Sequence, residues 1–199
     1  MSTNVKAEKF AEIEGAAYAL LAERGYDATS MLSIAKASRT SNQTLYRWYG
    51  DKRGLFKAMV LSNAAQTRDI LEQTLDTKGN ATTCLQHAAP VLLGMLTGEK
   101  AIALNRAAAA DHSGQLGAVI AEAGRDSIFP LFQALMQQGL DEGEFHNGDA
   151  RQLATWLINL LIGDQQIRRV IGVLPPPTKA QVNRHAKTAI NAFLQLASA

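Results

Sequence analysis

The sequence predicts an all-α protein in which a small N-terminal head is joined to a larger helical body. Of the 199 residues, 47% are hydrophobic and only 6% are aromatic. Apolar residues recur mostly at three- and four-residue spacings, and no segment alternates as a strand would. We therefore expect a three-helix head, one long connecting helix and a five-helix body. The predicted boundary places residues 1–52 in the head and residues 53–199 in the body.

Composition and residue spacing exclude several classes of protein. Cys84 is the single cysteine, so no internal disulfide framework can form, and no His/Cys spacing typical of a zinc site occurs. The N-terminus is polar, and no apolar run reaches the ~18 residues of a membrane span. Asp111, His112 and Ser113 are too close in sequence to meet as a hydrolase triad. We expect a cytoplasmic protein without catalytic residues, metal, cofactor or membrane segment.

Capping residues and apolar periodicity place the helices of the head. Ser30 and Ser41 each precede a short apolar segment and can accept a hydrogen bond from the free amides of a helix start. Gly25 ends the first helix, and Asp51 caps the connecting helix. The four predicted helices span residues 5–24, 31–37, 42–48 and 52–75.

Similar signals divide the body. Thr83, Asp149 and Thr178 are each followed three residues later by glutamine, which is a capping-box pattern for a helix start. Pro130 lies inside the third helix and predicts a kink or break near Ser127. The five predicted helices span residues 83–96, 99–111, 115–139, 150–172 and 178–196.

Positive charge is concentrated near the N-terminus. The formal net charge of the chain is +2. Residues 1–60 contain nine Lys and Arg against six Asp and Glu, whereas residues 61–199 contain eleven against twelve. Within residues 36–57 there are six basic residues and one acid. A modest total therefore does not argue against a nucleic-acid partner for the head.

Two short helices joined by a tight connection, the second one rich in amides and followed by basic residues, are typical of a helix-turn-helix. The second helix of such a pair enters the major groove with its N-terminal side chains against base edges. Asn42 and Gln43 can pair with adenine, Thr44 can contact thymine, and Arg47 can reach guanine or phosphate. Phosphate contacts are expected from the Tyr46 hydroxyl and from Lys52, which lies at a helix N-terminus.

The ordered motifs of residues 8–60 resemble the N-terminal domain of TetR-family transcriptional regulators. The resemblance rests on ERGYDATSM at 23–31, IAKA at 34–37, SNQTLYRWY at 41–49 and DKRGLF at 51–56. It implies a homodimer that binds double-stranded DNA, with a C-terminal domain that binds an inducer and dimerises through its last two long helices. By position, these helices are those predicted over residues 150–172 and 178–196.

The resemblance also implies a set of DNA-binding residues. Base reading falls on Asn42, Gln43, Thr44 and Arg47. Phosphate contacts fall on Thr29, Ser30, Tyr46 and Lys52. The neighbouring turn and cap residues Thr40 and Ser41 belong to the same predicted surface. The sequence departs from the family at the turn, where Ser38-Arg39-Thr40 replaces the usual Ala-Gly-Val, and at Trp48, where histidine is common. We expect the turn to persist with altered geometry and Arg39 to add a phosphate contact.

An effector cavity in the body is a further implication of the resemblance. We expect its ligand to be largely apolar, because the candidate walls are soft aliphatic and aromatic side chains. The candidate walls are Leu92, Met95, Phe129, Phe132, Met136 and Trp156. The candidate polar anchors are Asn105, Arg106 and His112.

The sequence favours a regulator, and in particular a repressor that a small molecule releases from a palindromic operator. The alternative from another class is a helical small-molecule binder or enzyme in which the N-terminal helices are only structural. An activator, or a regulator without a small ligand, also remains open. The basic, amide-rich third helix distinguishes the regulator from a helical small-molecule binder or enzyme, because such a protein would not need a helix of this kind.

Overall fold

The computed structural model describes residues 3–77 and 79–198, and this part of the chain is helical without any strand. The all-α prediction is confirmed. In chain order the helices are α1 (Thr3–Arg24), α2 (Met31–Ala37), α3 (Asn42–Tyr49), α4 (Lys52–Thr77), α5 (Ala81–Thr97), α6 (Glu99–Ala110), α7 (Gln115–Ile120), α8 (Asp126–Asp141), α9 (Ala150–Ile162), α10 (Gln165–Val170) and α11 (Lys179–Ser198). A π-helical turn, Ala121–Arg125, joins α7 to α8.

The break predicted near Ser127 in the third body helix is present as the π-helical turn Ala121–Arg125, which ends two residues before Ser127. Pro130 lies inside α8, and the irregular turn lies just upstream of it. A proline ring clashes with the carbonyl four residues before it, so a wider turn ahead of the proline relieves the crowding. The Ser127 hydroxyl donates to the carbonyl oxygens of Ala123 (2.7 Å) and Gly124 (2.9 Å) and so satisfies acceptors of this turn.

The predicted helix over residues 150–172 is wrong in its length, because α9 ends at Ile162 and a separate α10 follows. Gly163 stands between them with a φ of +50°. This conformation favours glycine, since it has no Cβ. The body therefore has more and shorter helices than the five predicted.

Long-range contacts also shift one helix start. The α5 helix begins at Ala81, and its cap is Asn80, which accepts from the Thr83 amide at 2.8 Å. The Glu144 carboxylate accepts from the amides of Ala81 (2.8 Å) and Thr82 (3.0 Å). The capping box predicted at Thr83 is therefore wrong. The starts predicted at Asp149 and Thr178 are confirmed, because each side chain accepts from the amide three residues later.

Two apolar cores lie along the molecule. The body core is built from the later part of α4 together with α5, α8, α9 and α11, and it includes Leu85, Phe132 and Phe193. The head core is built from α1, α2, α3 and the first part of α4, but it also contains Leu104 of α6 and Leu116 of α7. The head is thus packed directly onto two body helices. No helix of the described residues is long and apolar enough to cross a bilayer.

Candidate DNA-binding surface and effector cavity

The α2 and α3 helices are each defined by local caps. Ser30 and Ser33 form a reciprocal capping box at the start of α2, where the Ser33 amide donates to the Ser30 hydroxyl at 3.1 Å. Ser41 accepts from the Thr44 amide at 3.0 Å at the start of α3. These caps satisfy amides that a helix start would leave free, so the two helices begin where the sequence predicts.

The turn between α2 and α3 is tight although it lacks the usual glycine. Arg39 has a φ of +49°, which is the left-handed region that a residue with a Cβ rarely adopts. The Thr40 amide donates to the Ala35 carbonyl at 2.9 Å and closes the turn. Lys9 of α1 donates to the carbonyl oxygen of Ser38 at 2.8 Å. The turn thus persists, with a strained residue at its centre and a lysine from α1 bound to it.

Aromatic packing holds α3 in place. Leu45 is fully buried in the head core. The Trp48 ring packs against Phe10 of α1 with ring centroids 4.5 Å apart, and Tyr49 meets the same ring edge-on at 5.9 Å. The departure from histidine at Trp48 therefore has a structural role, because the indole contributes to the contact between α3 and α1.

The exposed face of α3 presents three of the predicted DNA-binding residues. Gln43, Tyr46 and Arg47 are exposed, and half of the Tyr46 surface is accessible (50%). The Thr44 and Ser41 hydroxyls lie 2.8 Å apart and bond to each other. Asn42 is half-buried, and its Oδ1 is buried without a hydrogen-bond partner among the residues described.

Two predicted phosphate contacts are turned into the protein. Thr29 is only 2% exposed, and its hydroxyl donates to the Gly25 carbonyl at 2.7 Å. The Lys52 ammonium donates to the carbonyl oxygens of Tyr26 (2.8 Å) and Thr29 (2.9 Å) and lies 4.0 Å from the centroid of the Tyr26 ring. Burial lowers the pKa of Lys52, although the nearby Asp27 opposes that shift. In this structure both side chains hold the segment before α2, because the Thr29 hydroxyl proton and two of the three Lys52 N–H donors are engaged within the protein.

The basic residues of segment 36–57 also divide into those that bind other parts of the protein and those that have no acidic partner among the described residues. Arg53 donates to Gln115 of α7 at 3.3 Å, and Lys57 forms an ion pair of 2.6 Å with Glu122 of the π-helical turn. Within residues 3–77 and 79–198, the side chains of Lys36, Arg39 and Arg47 have no acidic partner. These three cations lie on α2, the turn and α3, the elements that would face DNA. The remaining predicted residues at this surface, Ser30 and Ser41, are exposed, and Thr40 is half-buried.

A cavity of about 240 Å³ lies in the body beneath the head. Its walls come from every helix between α4 and α10, and most of the lining side chains are apolar. The lining residues are Val60, Asn63, Ala64, Leu92, Met95, Leu96, Ala101, Leu104, Asn105, Ile120, Gly124, Arg125, Ile128, Phe129, Phe132, Ile158, Ile162 and Gln166.

Five of the predicted lining residues line this cavity, namely Leu92, Met95, Asn105, Phe129 and Phe132. Arg106, Met136 and Trp156 do not. The Arg106 guanidinium donates to the carbonyl of Val170 at 2.8 Å at the end of α10. Met136 is buried in the body core, and Trp156 packs against that core from outside. His112 also lies outside the lining.

Sequence reasoning missed the remaining polar groups of the cavity. Asn63, Arg125 and Gln166 lie on three different helical segments far apart in sequence. Arg125 occurs in an unpredicted π-helical turn, and no local pattern marks it as inward-facing. These side chains meet in one space because α4 packs against the π-helical turn and α8, while α10 packs against α5 and α6.

Two family models match the chain. The model for bacterial regulatory proteins of the tetR family matches residues 13–59. The model for the C-terminal domain of AefR-like transcriptional repressors matches residues 83–196. Together they cover most of the head and most of the body.

Relatives of known structure are similar over nearly the whole chain. A protein of Mesorhizobium loti that is assigned to the TetR family is 31% identical and has a TM-score of 0.76, with 97% of this chain and 98% of that chain covered. A TetR transcriptional regulator from Agrobacterium tumefaciens is 28% identical with a TM-score of 0.70, and the coverage is 98% and 95%. The HTH-type transcriptional regulator YdeS of Bacillus subtilis is 29% identical over 136 residues, which span 66% of this chain and 65% of that relative's length.

The predicted helix-turn-helix is present as α2 and α3, and both parts of the chain match models of one family. The alternative of a purely structural N-terminus is not favoured by these matches, because the relatives named are transcriptional regulators. The chain therefore belongs to the TetR family of DNA-binding transcriptional regulators.

Proposed function

We propose that this TetR-family regulator is a repressor that binds a palindromic operator as a homodimer and leaves it when a small, largely apolar effector fills the cavity. One observation carries the proposal. The segment of residues 115–129 lines the cavity on one side and packs into the head core on the other. The match of the body to a repressor domain also supports it.

The chemistry of the α2–α3 surface supports operator binding. The Gln43 amide carries donors and an acceptor, and Arg47 carries donors, that suit base edges in the major groove, and the Tyr46 hydroxyl suits a phosphate. Lys36, Arg39 and Arg47 can neutralise phosphates, since no acid of the described chain pairs with them. We keep Asn42, Thr44, Ser30, Thr40 and Ser41 as predicted neighbours of the DNA.

Unpartnered apolar side chains support dimerisation through the C-terminal helices. Ile167, Ile171 and Val173 on α10 and the loop after it are each more than half exposed, and Leu196 on α11 is 44% exposed. Exposed large apolar groups that lie close together, as over residues 167–173, are typical of an interface. Two-fold symmetry then predicts two α3 helices in successive major grooves, about 34 Å apart.

The cavity is connected to the head by two routes. Val60, Asn63 and Ala64 of α4 line it, while the start of the same helix packs into the head. In segment 115–129, Ile120 and Arg125 line the cavity, and the Glu122 carboxylate between them pairs with Lys57. An effector that binds better to a displaced arrangement of these walls would shift the head and change the separation of the two α3 helices.

Operator binding can be tested with DNA selected by the protein from a random pool. We expect a palindromic consensus, a steep fall of log affinity with log salt concentration, and loss of binding in Gln43→Ala, Tyr46→Ala and Arg47→Ala. Gln66→Ala, an exposed glutamine on α4, is the matched control and should bind as the wild type does. Unchanged binding in all three variants would refute the assignment of α3 as the reading helix.

Effector release can be tested by measuring the distance between spin labels placed at position 23 of the two subunits, on the exposed end of α1. A compound that stabilises the protein thermally and dissociates the selected DNA should change this distance. Lost DNA binding at an unchanged distance would refute the proposed motion. A reporter gene behind the selected operator distinguishes a repressor from an activator, because a repressor lowers the expression of the reporter and an activator raises it.

A further inference from the structure

We infer that the cavity selects an apolar molecule that carries one anionic group, and that Arg125 binds this group. The inference rests on the proposed effector function and adds to it the chemical class of the effector. It assigns a specificity-determining role to a residue in the π-helical turn.

The charge of the cavity lining is one-sided. Among the described residues, Arg125 is the only ionised side chain in the lining, and no Asp or Glu contributes to it. Glu122, three residues earlier on the same turn, pairs with Lys57 of α4 at 2.6 Å. Within the described chain Arg125 has no acidic partner, so its positive charge remains available at the cavity. A cationic ligand would be repelled there, whereas an anion would be attracted.

Two neutral polar side chains of the cavity lining already donate a hydrogen bond to a backbone carbonyl. The Asn105 amide donates to the Ala101 carbonyl at 2.8 Å, and the Gln166 amide donates to the Leu96 carbonyl at 3.1 Å. One of the two N–H donors of each amide is therefore engaged within the protein, and neither amide carries a charge. The Arg125 guanidinium offers several free donors in a planar fork, which suits a carboxylate, sulfonate or phosphate oxygen.

The position of Arg125 suits an anchor at the cavity edge. Its side chain is exposed to solvent while it lines the cavity. The guanidinium carbon lies 5.4 Å from the centroid of the Phe129 ring, which is itself part of the wall. This cation–π contact holds the charged group beside the apolar space. A ligand can thus bury its apolar part among Leu92, Phe129 and Phe132 and leave its anionic end at the solvent-facing edge.

Two probes that differ only at the head group test the inference, namely decanoate and 1-decanol. Their affinities for the full-length protein are measured by isothermal titration calorimetry. We expect Arg125→Gln to weaken decanoate binding roughly tenfold, the usual size for loss of a charge-assisted hydrogen bond, and to change 1-decanol binding less than about twofold. Decanoate binding should also weaken with salt, whereas 1-decanol binding should not. Arg24→Gln, at the exposed end of α1, is the matched control and should change neither.

Blocking variants assign the binding to this cavity. Ala101→Phe places a ring in the space, and Ala64→Leu provides a second block if the first lowers the helix content seen by circular dichroism. Either should abolish the binding of both probes. The inference is overturned if decanoate does not bind, if Arg125→Gln affects both probes equally or neither, or if binding survives in the folded blocked protein.

Release of the selected DNA is measured with the same samples. Decanoate that binds through Arg125 without releasing DNA would refute the effector function and leave the anion selectivity standing. Release by 1-decanol and decanoate alike, unchanged in Arg125→Gln, would support the effector function and refute the selectivity.

Discussion

Arg39 combines backbone strain with an exposed positive charge. It has a φ of +49°, the single positive φ among non-glycine residues of the described chain. A left-handed residue with a Cβ costs roughly 1–2 kcal/mol relative to glycine, and a contact of the side chain with DNA would offset this cost. The Arg39 guanidinium, just before α3, has no acidic partner among the described residues and is suited to bind a phosphate.

The substitution Arg39→Gly should separate these two effects. We expect the free energy of unfolding to rise by about 1 kcal/mol, because glycine adopts this φ without strain. The slope of log affinity against log salt for the dimer should become shallower by about 1.8, because each subunit then neutralises one phosphate fewer. Urea unfolding and salt titrations of operator binding measure the two quantities. Lys36→Gln serves as the comparison, since it removes an exposed charge without relieving strain, and a stability gain there too would contradict the explanation.

Glu144 makes the stability of the body depend on pH. Partial burial raises the pKa of its carboxyl, but hydrogen bonds from Thr82, Ala81 and Asn80 outweigh that effect, so the pKa lies below its usual value. In the unfolded chain the group therefore binds a proton at a higher pH than in the folded chain. Its contribution to stability is complete above the unfolded pKa and is lost as the pH falls through the folded pKa.

The variant Glu144→Gln should show this dependence directly. We expect a lower melting temperature than the wild type at pH 7, and a difference that shrinks as the pH falls below the usual range of a carboxyl group. Thermal unfolding followed by circular dichroism at a series of pH values gives the comparison. Glu142→Gln, an exposed neighbour, is the control. A difference between Glu144→Gln and wild type that stays constant from pH 7 to acid would contradict the capping role.

The junction between α3 and α4 depends on one glycine. A Cβ at Gly54 would collide with the carbonyl oxygen of Tyr49, at the end of α3. The side chain of Asp51 accepts from the Gly54 amide at 2.7 Å and caps α4 at the same place. The two helices can approach this closely only because position 54 has no side chain.

Gly54→Ala should therefore weaken both folding and DNA binding. We expect the free energy of unfolding to fall by about 2 kcal/mol, because the added methyl forces the backbone of the two helices apart, and operator affinity to fall as α3 tilts. Gly15→Ala in α1 is the matched control, since outside its chain neighbours and the nearby backbone of its own helix no atom lies within 4 Å of its Cβ position. Alanine should raise stability by about 0.5–1 kcal/mol there. Urea unfolding and operator titrations test both variants. Equal effects of the two substitutions would refute the steric explanation.

Arg169 fixes α10 against the α5–α6 junction. It is only 6% exposed, and its guanidinium donates to the carbonyls of Thr97 (3.0 Å) and Leu174 (3.1 Å) and to Glu99 (2.8 Å). Arg168, the preceding residue, forms a longer, exposed ion pair of 3.6 Å with Asp164.

The two adjacent arginines should differ sharply in alanine substitutions. Arg169→Ala leaves buried carbonyls without donors, so we expect a loss of about 3 kcal/mol in the free energy of unfolding. Arg168→Ala removes an exposed pair and should change it by less than about 0.5 kcal/mol. Chemical denaturation of both variants provides the measurement, and similar losses would show that burial of Arg169 is not the cause.

The head and body share apolar packing, so they should unfold together. Leu104 and Leu116 of the body belong to the head core, and the ion pair between Lys57 and Glu122 crosses the same boundary. The sequence boundary after Lys52 remains a prediction about domain organisation, but it falls within continuous packing. Segments that share a core lose their structure in one cooperative transition.

The two tryptophans report on the two parts separately. Trp48 lies in the head and Trp156 in the body. In the single-tryptophan variants Trp156→Phe and Trp48→Phe, we expect the fluorescence midpoint in urea to coincide with that of circular dichroism for the same variant. A head that melts clearly before the body would contradict the shared core and weaken the proposed coupling of the cavity to α3.

Local sequence patterns determined the helical class, most helix boundaries and the helix-turn-helix. Helix periodicity and caps such as those at Ser30, Ser41 and Thr178 involve residues three or four positions apart, so the sequence displays them directly. The same holds for the exposed face of α3, because Leu45 on the opposite side marks it by its apolar character.

Tertiary structure decided which polar side chains remain available and where the cavity lies. Lys52 binds the carbonyl of Tyr26, 26 residues away, and Arg169 binds that of Thr97, 72 residues away. Arg125 reaches the cavity through the packing of the π-helical turn against α4. Such partners depend on the three-dimensional arrangement of helices that are distant in sequence, and no local period or spacing encodes them. The sequence thus indicated a DNA-binding regulator, and the packing of its helices decided which charges could face DNA and which could face a ligand.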